Sequence, residues 1–124
     1  MIDFKNSKYF KLKQTDNEDG IKLVAPLLID GEEVLYTYRG IRDCVIFTNK
    51  RVISANLQGV TGKKRDFTSL PYSKITTFSV ETSGVLDFDS ELQLWFSGVG
   101  IVTFEFTGKS NIIHIGKIIA SYAL

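Results

Sequence analysis

The chain has 124 residues, of which 44% are hydrophobic and 23% are charged, and this composition is typical of one globular domain rather than a disordered or fibrous chain. Its 15 Lys and Arg residues against 14 Asp and Glu residues leave a formal net charge of +1, far from the strongly basic balance that nucleic-acid partners usually require. No segment approaches the roughly 20 apolar residues of a membrane span and the N-terminus has no apolar signal region, so neither membrane insertion nor secretion is expected.

The first 29 residues are predicted to form a helical N-terminal extension. The spacing of aromatic and aliphatic residues up to Leu12 suggests short helical turns. Pro26 interrupts any helix that continues from Asp16, because proline lacks the amide hydrogen. We therefore divide the single structural domain into an extension over 1–29 and a main body over 30–124.

Antiparallel strands are predicted next, because apolar residues alternate with period 2 and turn residues recur about every ten positions. The seven predicted strands cover residues 34–39, 42–48, 51–57, 63–69, 73–82, 91–97 and 101–107. Asn49 and Lys50 form a tight hairpin turn, since asparagine tolerates the positive φ of a two-residue loop. In the fifth strand, alternation places Phe78 and Val80 on one face and Ile75 on the other.

The sixth predicted strand presents its only tryptophan on the polar side. Alternation points Leu92, Leu94 and Phe96 one way, and Gln93 and Trp95 the other. Outward tryptophans are enriched at protein interfaces, so Trp95 and Gln93 are candidate interface residues. The alternative interpretation, that the N-terminal segment covers Trp95, is equally compatible with the pattern.

The period changes after Gly108, where a terminal helix of about three turns is predicted. Ile112, Ile115 and Ile119 recur at helical spacing, and Ser110 is placed to cap the helix start. Seven antiparallel strands and one amphipathic helix predict a mainly β fold. We expect a partly open antiparallel barrel or sandwich whose open end the C-terminal helix caps.

Several segments resemble the bacterial pleckstrin-homology (PH) family, and in particular its small standalone members. These segments are LLIDGEEV (27–34), RDCVIFTNKRVI (42–53), QGVTGKK (58–64), LPYSKI (70–75), FSVETSG (78–84) and DFDSEL (87–92). The resemblance implies a PH-like fold, a non-catalytic binding domain and a ring-shaped homo-oligomer. Phosphoinositide-binding PH domains use a basic loop between their first two strands, whereas the equivalent connection over 39–42 is too short for a deep basic pocket.

Basic residues around the third and fourth strands are candidate anion ligands, namely Lys50, Arg51, Lys63, Lys64 and Arg65. Strand alternation sends Lys63 and Arg65 to one face and Lys64 to the other, which disperses the charge. The favoured interpretation is solvated edge charges that discourage unwanted strand pairing. The alternative is binding to anionic lipid headgroups or acidic partners.

Two other charged or glycine-rich motifs do not predict a ligand site. The segment over 59–63 has the wrong glycine spacing for a phosphate-binding loop, and a strand rather than a helix is predicted to follow it. Asp87, Asp89 and Glu91 alternate, but a calcium-binding EF-hand loop would need glycine where Leu92 stands. A hairpin loop and a solvated acidic turn are the expected structures.

No catalytic, cofactor-binding or metal site is predicted. His114 is the only histidine and Cys44 the only cysteine, which leaves too few ligands for zinc. A barrel filled by its own side chains also leaves no cleft for a nucleophile and base. Cys44 lies in the apolar run CVIF, so we expect a buried thiol and a reducing, cytoplasmic location.

The expected function is that of a non-catalytic interaction module that assembles with copies of itself. Open sheet edges favour such contacts, and a head-to-tail contact closes into a ring when its rotation permits. Its partners would be further copies and a protein of unknown identity, without nucleic acid or cofactor. The alternative, less favoured, is a peripheral binder of anionic membrane surfaces or acidic partners.

Overall fold

A computed structural model of the chain describes residues 1–4, 9–58, 64–82 and 89–124. In chain order the elements are β1 (Tyr9–Thr15), α1 (Asn17–Val24), β2 (Val34–Arg39), β3 (Asp43–Thr48), β4 (Arg51–Gln58), β5 (Lys64–Pro71), β6 (Ile75–Thr82), β7 (Ser90–Phe96), β8 (Gly100–Phe106) and α2 (Ile112–Ala123). Short 3-10 turns at Ala25–Leu27 and Tyr72–Lys74 follow α1 and β5. The mainly β fold with a C-terminal helix and a short N-terminal helix is confirmed. Within these ranges, neither helix has the length and hydropathy to cross a membrane.

The strands form one sheet in the order β5-β4-β3-β2-β1-β8-β7-β6, and this sheet is not closed. The described residues form eight strands rather than the predicted seven, because residues 9–15 form a strand instead of helical turns. β1 pairs antiparallel with β2 and parallel with β8, in the middle of the sheet. Its buried Leu12 lies between exposed Lys11 and Lys13, which is strand alternation in a run too short to be recognised by period alone.

The sheet curls around one apolar core. The ring centroids of Phe47 in β3 and Phe104 in β8 lie 6.3 Å apart, although β2 and β1 separate these strands. In a flat sheet, three steps of about 4.8 Å would place them roughly 14 Å apart. The inner side chains converge because the sheet bends, and the main contributors are Leu12, Tyr38, Val45, Phe47, Val52, Leu92, Leu94, Val102, Phe104 and Phe106.

α2 packs on this core next to β6, β7 and the 3-10 turn after β5. The predicted stripe of Ile112, Ile115 and Ile119 is buried. The predicted cap is wrong, because Asn111 occupies the N-cap position and makes no side-chain capping bond. The Ser110 hydroxyl instead lies 3.0 Å from the hydroxyl of Ser90.

α1 covers the opposite face of the sheet and creates a second apolar cluster. Val24 packs there with Cys44, Ile46, Ile53 and Ala55. β3 is therefore buried on both faces, which explains its uninterrupted apolar run. As predicted, no regular helix continues through Pro26, since α1 ends at Val24.

Two local details differ from the sequence-based expectation. A bulge between Ile75 and Thr77 shifts the register of β6, so Ile75 is buried with the core that Phe78 and Val80 contact. Asn49 does not have a positive φ. Its side chain instead donates to Gly31 O at 2.9 Å and accepts from Glu33 N at 2.8 Å, which fixes the start of β2.

Gly20 allows α1 to approach β2 closely, and we expect Gly20→Ala to destabilise the fold by about 1–3 kcal/mol. A Cβ at this position would lie 2.2 Å from Thr37 Oγ1, whose hydroxyl donates to Asn17 Oδ1. This clash should exceed the helix-propensity gain of about 1 kcal/mol. Urea unfolding measures the difference. Gly116→Ala is the control, since its Cβ would meet only a Val80 methyl at 3.1 Å, and equal effects would contradict the packing argument.

Candidate interaction surfaces

The first candidate surface is the outer face of β6, β7 and β8 around Trp95. Trp95 is 45% exposed and pairs across the strands with Thr77 and Ile101, the latter 51% exposed. These residues, with Ser79 and Gln93 in the next row, line a shallow cavity of about 270 Å³. We name these five residues the Trp95 face. Trp95 and Gln93 point outward as predicted, while their role at an interface remains a prediction.

Residues 1–4 do not cover the Trp95 face. Ile2 and Phe4 are buried in the inner core, and Ile2 N donates to Thr68 Oγ1 of β5 at 3.1 Å. The N-terminal ammonium of Met1 also pairs with Asp66 of β5 at 2.8 Å. This part of the N-terminal segment therefore lies along β5, at the other edge of the sheet from β6.

The two edges of the open sheet differ in charge. β5 carries Lys64, Arg65 and Asp66 near its start. β6 has no charged residue from Ile75 through Val80, and within the described ranges β7 is its only strand partner. Charged side chains are a common protection of edge strands against pairing. β6 is thus the less protected edge, and it lies next to the Trp95 face.

A buried ion pair uses one of the predicted anion ligands. Arg51 contacts the fully buried carboxylate of Glu32 at 2.9 Å through both Nε and Nη2, and also donates to Leu27 O and Ser69 Oγ. Thr48 Oγ1 donates to the same carboxylate at 2.7 Å. Burial opposes ionisation of Glu32, but the hydrogen bonds outweigh it and lower its pKa. The Arg51 guanidinium is therefore engaged inside the fold.

The remaining basic residues do not form one patch. Lys50 precedes β4, whereas Lys64 pairs with Gln58 at the far end of the β4–β5 ladder. Lys50, Lys64 and Arg65 are exposed, and Lys63 lies outside the described residues. Anion binding by this group stays a prediction.

Arg65 lies instead beside two arginines of the β2–β3 turn. Arg39, Arg42 and Arg65 line a cavity of about 110 Å³, together with Leu23 of α1 and residues of β3 and β4. Gly40 N donates to Asp43 O at 2.8 Å and closes the turn, at whose tip Ile41 is 100% exposed. We name this site the arginine cavity.

Arg39 and Arg42 are not among the predicted site residues, because the length of the connection over 39–42 was the only property considered there. The strand registers place Arg39 opposite Cys44, and Leu57 opposite Arg65. Aligning the successive predicted hairpins would have shown that the three arginines lie at the same end of the sheet. Cys44 also lines this cavity, and burial raises the pKa of its thiol.

The acidic and histidine motifs have structural contacts. Asp89 accepts hydrogen bonds from Gly108 N at 3.0 Å and Thr107 Oγ1 at 3.3 Å, while Asp87 lies outside the described residues. His114 is exposed on α2 and its Nδ1 hydrogen-bonds the Tyr36 hydroxyl. In the part of the chain that the structure describes, no group of three or more His, Cys, Asp or Glu residues could hold a metal ion.

Comparison with known proteins gives a consistent set of similarities. The family model for the bacterial PH domain matches residues 3–123. The chain is 42% identical over 103 residues to an uncharacterized protein of Bacillus subtilis, YjqA, covering 82% of each chain. A crystal structure of a protein with a pleckstrin-homology domain from Shewanella loihica is similar with a TM-score of 0.76 and 39% identity, covering 93% of this chain and 99% of that one. A pleckstrin-homology domain from Shewanella amazonensis gives a TM-score of 0.63 at 39% identity, covering 96% and 93%.

Proposed function

The chain belongs to the bacterial PH domain family, and from this premise we propose that it is a non-catalytic interaction module that self-assembles into a homo-oligomer. The observation that carries the proposal is the exposed Trp95 face beside β6, whose residues from Ile75 through Val80 carry no charge. The fold alone does not specify a function, since one fold hosts many kinds of site. The support for self-assembly therefore comes from this surface.

The chemistry of the Trp95 face suits a contact with a second protein surface. Trp95 and Ile101 offer adjacent, half-exposed apolar side chains, while Thr77, Ser79 and Gln93 surround them with uncharged polar groups. Apolar anchors within a polar rim are the usual anatomy of interfaces. Within the described ranges, the edge of β6 that faces away from β7 has no strand partner, so it adds backbone donors and acceptors for a neighbouring strand. If the contact is head-to-tail, it repeats into a ring when its rotation closes.

Light scattering on the purified protein tests self-assembly. We expect a mass several times 13.9 kDa that persists on dilution to low micromolar concentration. Trp95→Lys should lower this mass, because it places a charge at the centre of the proposed contact. Ile113→Lys is the matched control, since Ile113 is 52% exposed on α2, away from the Trp95 face. A monomer at every concentration would contradict the proposal.

A second candidate function is peripheral binding to anionic lipid headgroups or acidic partners through the basic residues of β4 and β5. The exposure of Lys50, Lys64 and Arg65 supports it, whereas the engagement of Arg51 with Glu32 weakens it. We propose a cytoplasmic location for either function, supported by a single buried cysteine that remains a free thiol.

A further inference from the structure

Three glutamates cross the outer face of β6, β7 and β8 in one row. The strand register places Glu81 opposite Glu91, and Glu91 opposite Glu105. Like charges at directly opposed positions of a sheet repel each other. The chain as a whole has a net charge of +1, so this acidity is a local feature. We name Glu81, Glu91 and Glu105 the glutamate row.

The glutamate row borders a cavity of about 410 Å³, a volume within the roughly 300–1,000 Å³ of typical ligand sites. Asp89 also lines this cavity, but it already accepts hydrogen bonds from the connection between β8 and α2. Lys11 is the one basic residue among the described lining residues. Neither Glu81 nor Glu105 forms an ion pair with another described residue. Negative charge therefore exceeds positive charge in the described part of this cavity.

The glutamate row and the Trp95 face belong to one continuous surface. Two further rows run parallel to the glutamates on the same side of the sheet, namely Thr77, Trp95 and Ile101, and Ser79, Gln93 and Thr103. Successive outward rows are two residues apart along each strand, or about 7 Å, so the glutamates lie roughly 14 Å from the row of Trp95. The surface is therefore apolar at one end and acidic at the other.

We propose that this surface binds a basic polypeptide segment of a partner protein. The segment places an apolar side chain on Trp95 and Ile101, and lysine or arginine side chains on the glutamate row. In an extended segment these two contacts are four residues apart, because four residues span about 14 Å. Opposite charges at matching positions favour the correct partner and speed its association.

The charge pattern favours this occupant over the alternatives. A wholly apolar partner would cover the glutamates without a counter-charge, which is costly. A second copy could offer its arginine cavity, but there Ile41 lies directly between Arg39 and Arg42 in the chain. The surface instead separates its apolar and acidic ends by roughly 14 Å. A basic segment with the matching spacing satisfies both ends.

The test uses the full chain and a dye-labelled synthetic peptide that carries lysines four and six residues after a leucine. Fluorescence anisotropy of the dye measures its affinity, and the emission of Trp95, the only tryptophan, reports contact with the leucine. We expect Glu81→Gln and Glu105→Gln each to weaken binding by about two- to fivefold, the range of single exposed ion pairs. Raising the salt concentration should weaken it as well.

Glu18→Gln and Glu33→Gln are matched controls, because each removes one exposed negative charge outside this surface. A peptide with glutamines in place of its lysines should lose most of its affinity. Thermal unfolding verifies that all four variants fold. The variants of Glu81 and Glu105 should be no less stable than the parent protein, because each relieves repulsion within the glutamate row.

This docking surface deepens the proposed function, since it includes the Trp95 face on which that function rests. Light scattering on the same samples separates the two, because peptide binding by a protein that stays monomeric would support the docking surface although self-assembly fails. Equal losses in the glutamate and control variants, or no peptide binding, would overturn the docking surface without changing the mass of the assembly. A lower mass in the glutamate variants without peptide binding would show that a second copy occupies the surface, and would overturn it too.

Discussion

Replacing Ile115 with aspartate is expected to unfold the domain. Ile115 is 1% exposed on the buried face of α2. The substitution removes about 1.5–3 kcal/mol of side-chain burial and places a carboxylate in an apolar core, which costs several kcal/mol more. This total approaches the whole stability of a typical domain, about 5–15 kcal/mol.

Circular dichroism on heating measures this effect. The matched control is Ile113→Asp, two positions away on the same helix, where the side chain is exposed. We expect that variant to stay within about 0.5 kcal/mol of the parent protein. A native-like melting temperature for Ile115→Asp would show that α2 does not contribute to the core.

Replacing Glu32 with alanine is expected to destabilise the domain by about 3–5 kcal/mol. The side chain of Glu32 is 0% exposed, and its loss would leave the partly buried guanidinium of Arg51 without its counter-charge. Glu33→Ala is the control, because Glu33 is exposed and donates to Asn49 Oδ1 through its backbone amide rather than its side chain. Urea unfolding compares the two, and equal effects would show that the ion pair does not stabilise the fold.

The Glu32–Arg51 ion pair should also make the stability of the domain depend on pH in the acidic range. Hydrogen bonds lower the pKa of Glu32 in the folded state below its ordinary value of 4.5, despite its burial. The folded state then binds its proton less readily than the unfolded state, so this stabilisation is complete above pH 4.5 and is lost as pH falls through the folded-state pKa. The stability difference between the parent and Glu32→Ala should therefore shrink in acid. A difference independent of pH would contradict the assignment.

Local alternation was sufficient to predict most of the strands and the inner rows of the core. It worked in β7 and β8, because each has one buried and one outward row that repeat without interruption. It failed at Ile75, where a bulge reverses the expected face. It also failed at Tyr9–Thr15, because a short alternating run becomes a strand only when β2 and β8 supply partners on both sides.

The candidate sites also differ in whether local sequence is enough to predict them. The outward direction of Trp95 follows from its own strand and was predictable. The arginine cavity combines the β2–β3 turn with Arg65 of β5 and Leu23 of α1, so its assembly depends on the registers of several strands and on helix placement. The ion pair between Arg51 and Glu32 could not be predicted from local sequence either, because the two residues lie in different segments that only the fold brings together.

The position of β1 has a consequence for the order in which the protein folds. β1 precedes the other described strands in the chain, whereas its parallel partner β8 follows them and leaves the ribosome later. The β2–β5 meander can form from neighbouring hairpins, whereas the pairing of β1 with β8, which joins the two parts of the sheet, must close the long loop over 16–99. Such distant pairing raises the contact order and slows folding. The sheet is therefore completed only after β8 has left the ribosome, and until then β1 lacks its partner on one side.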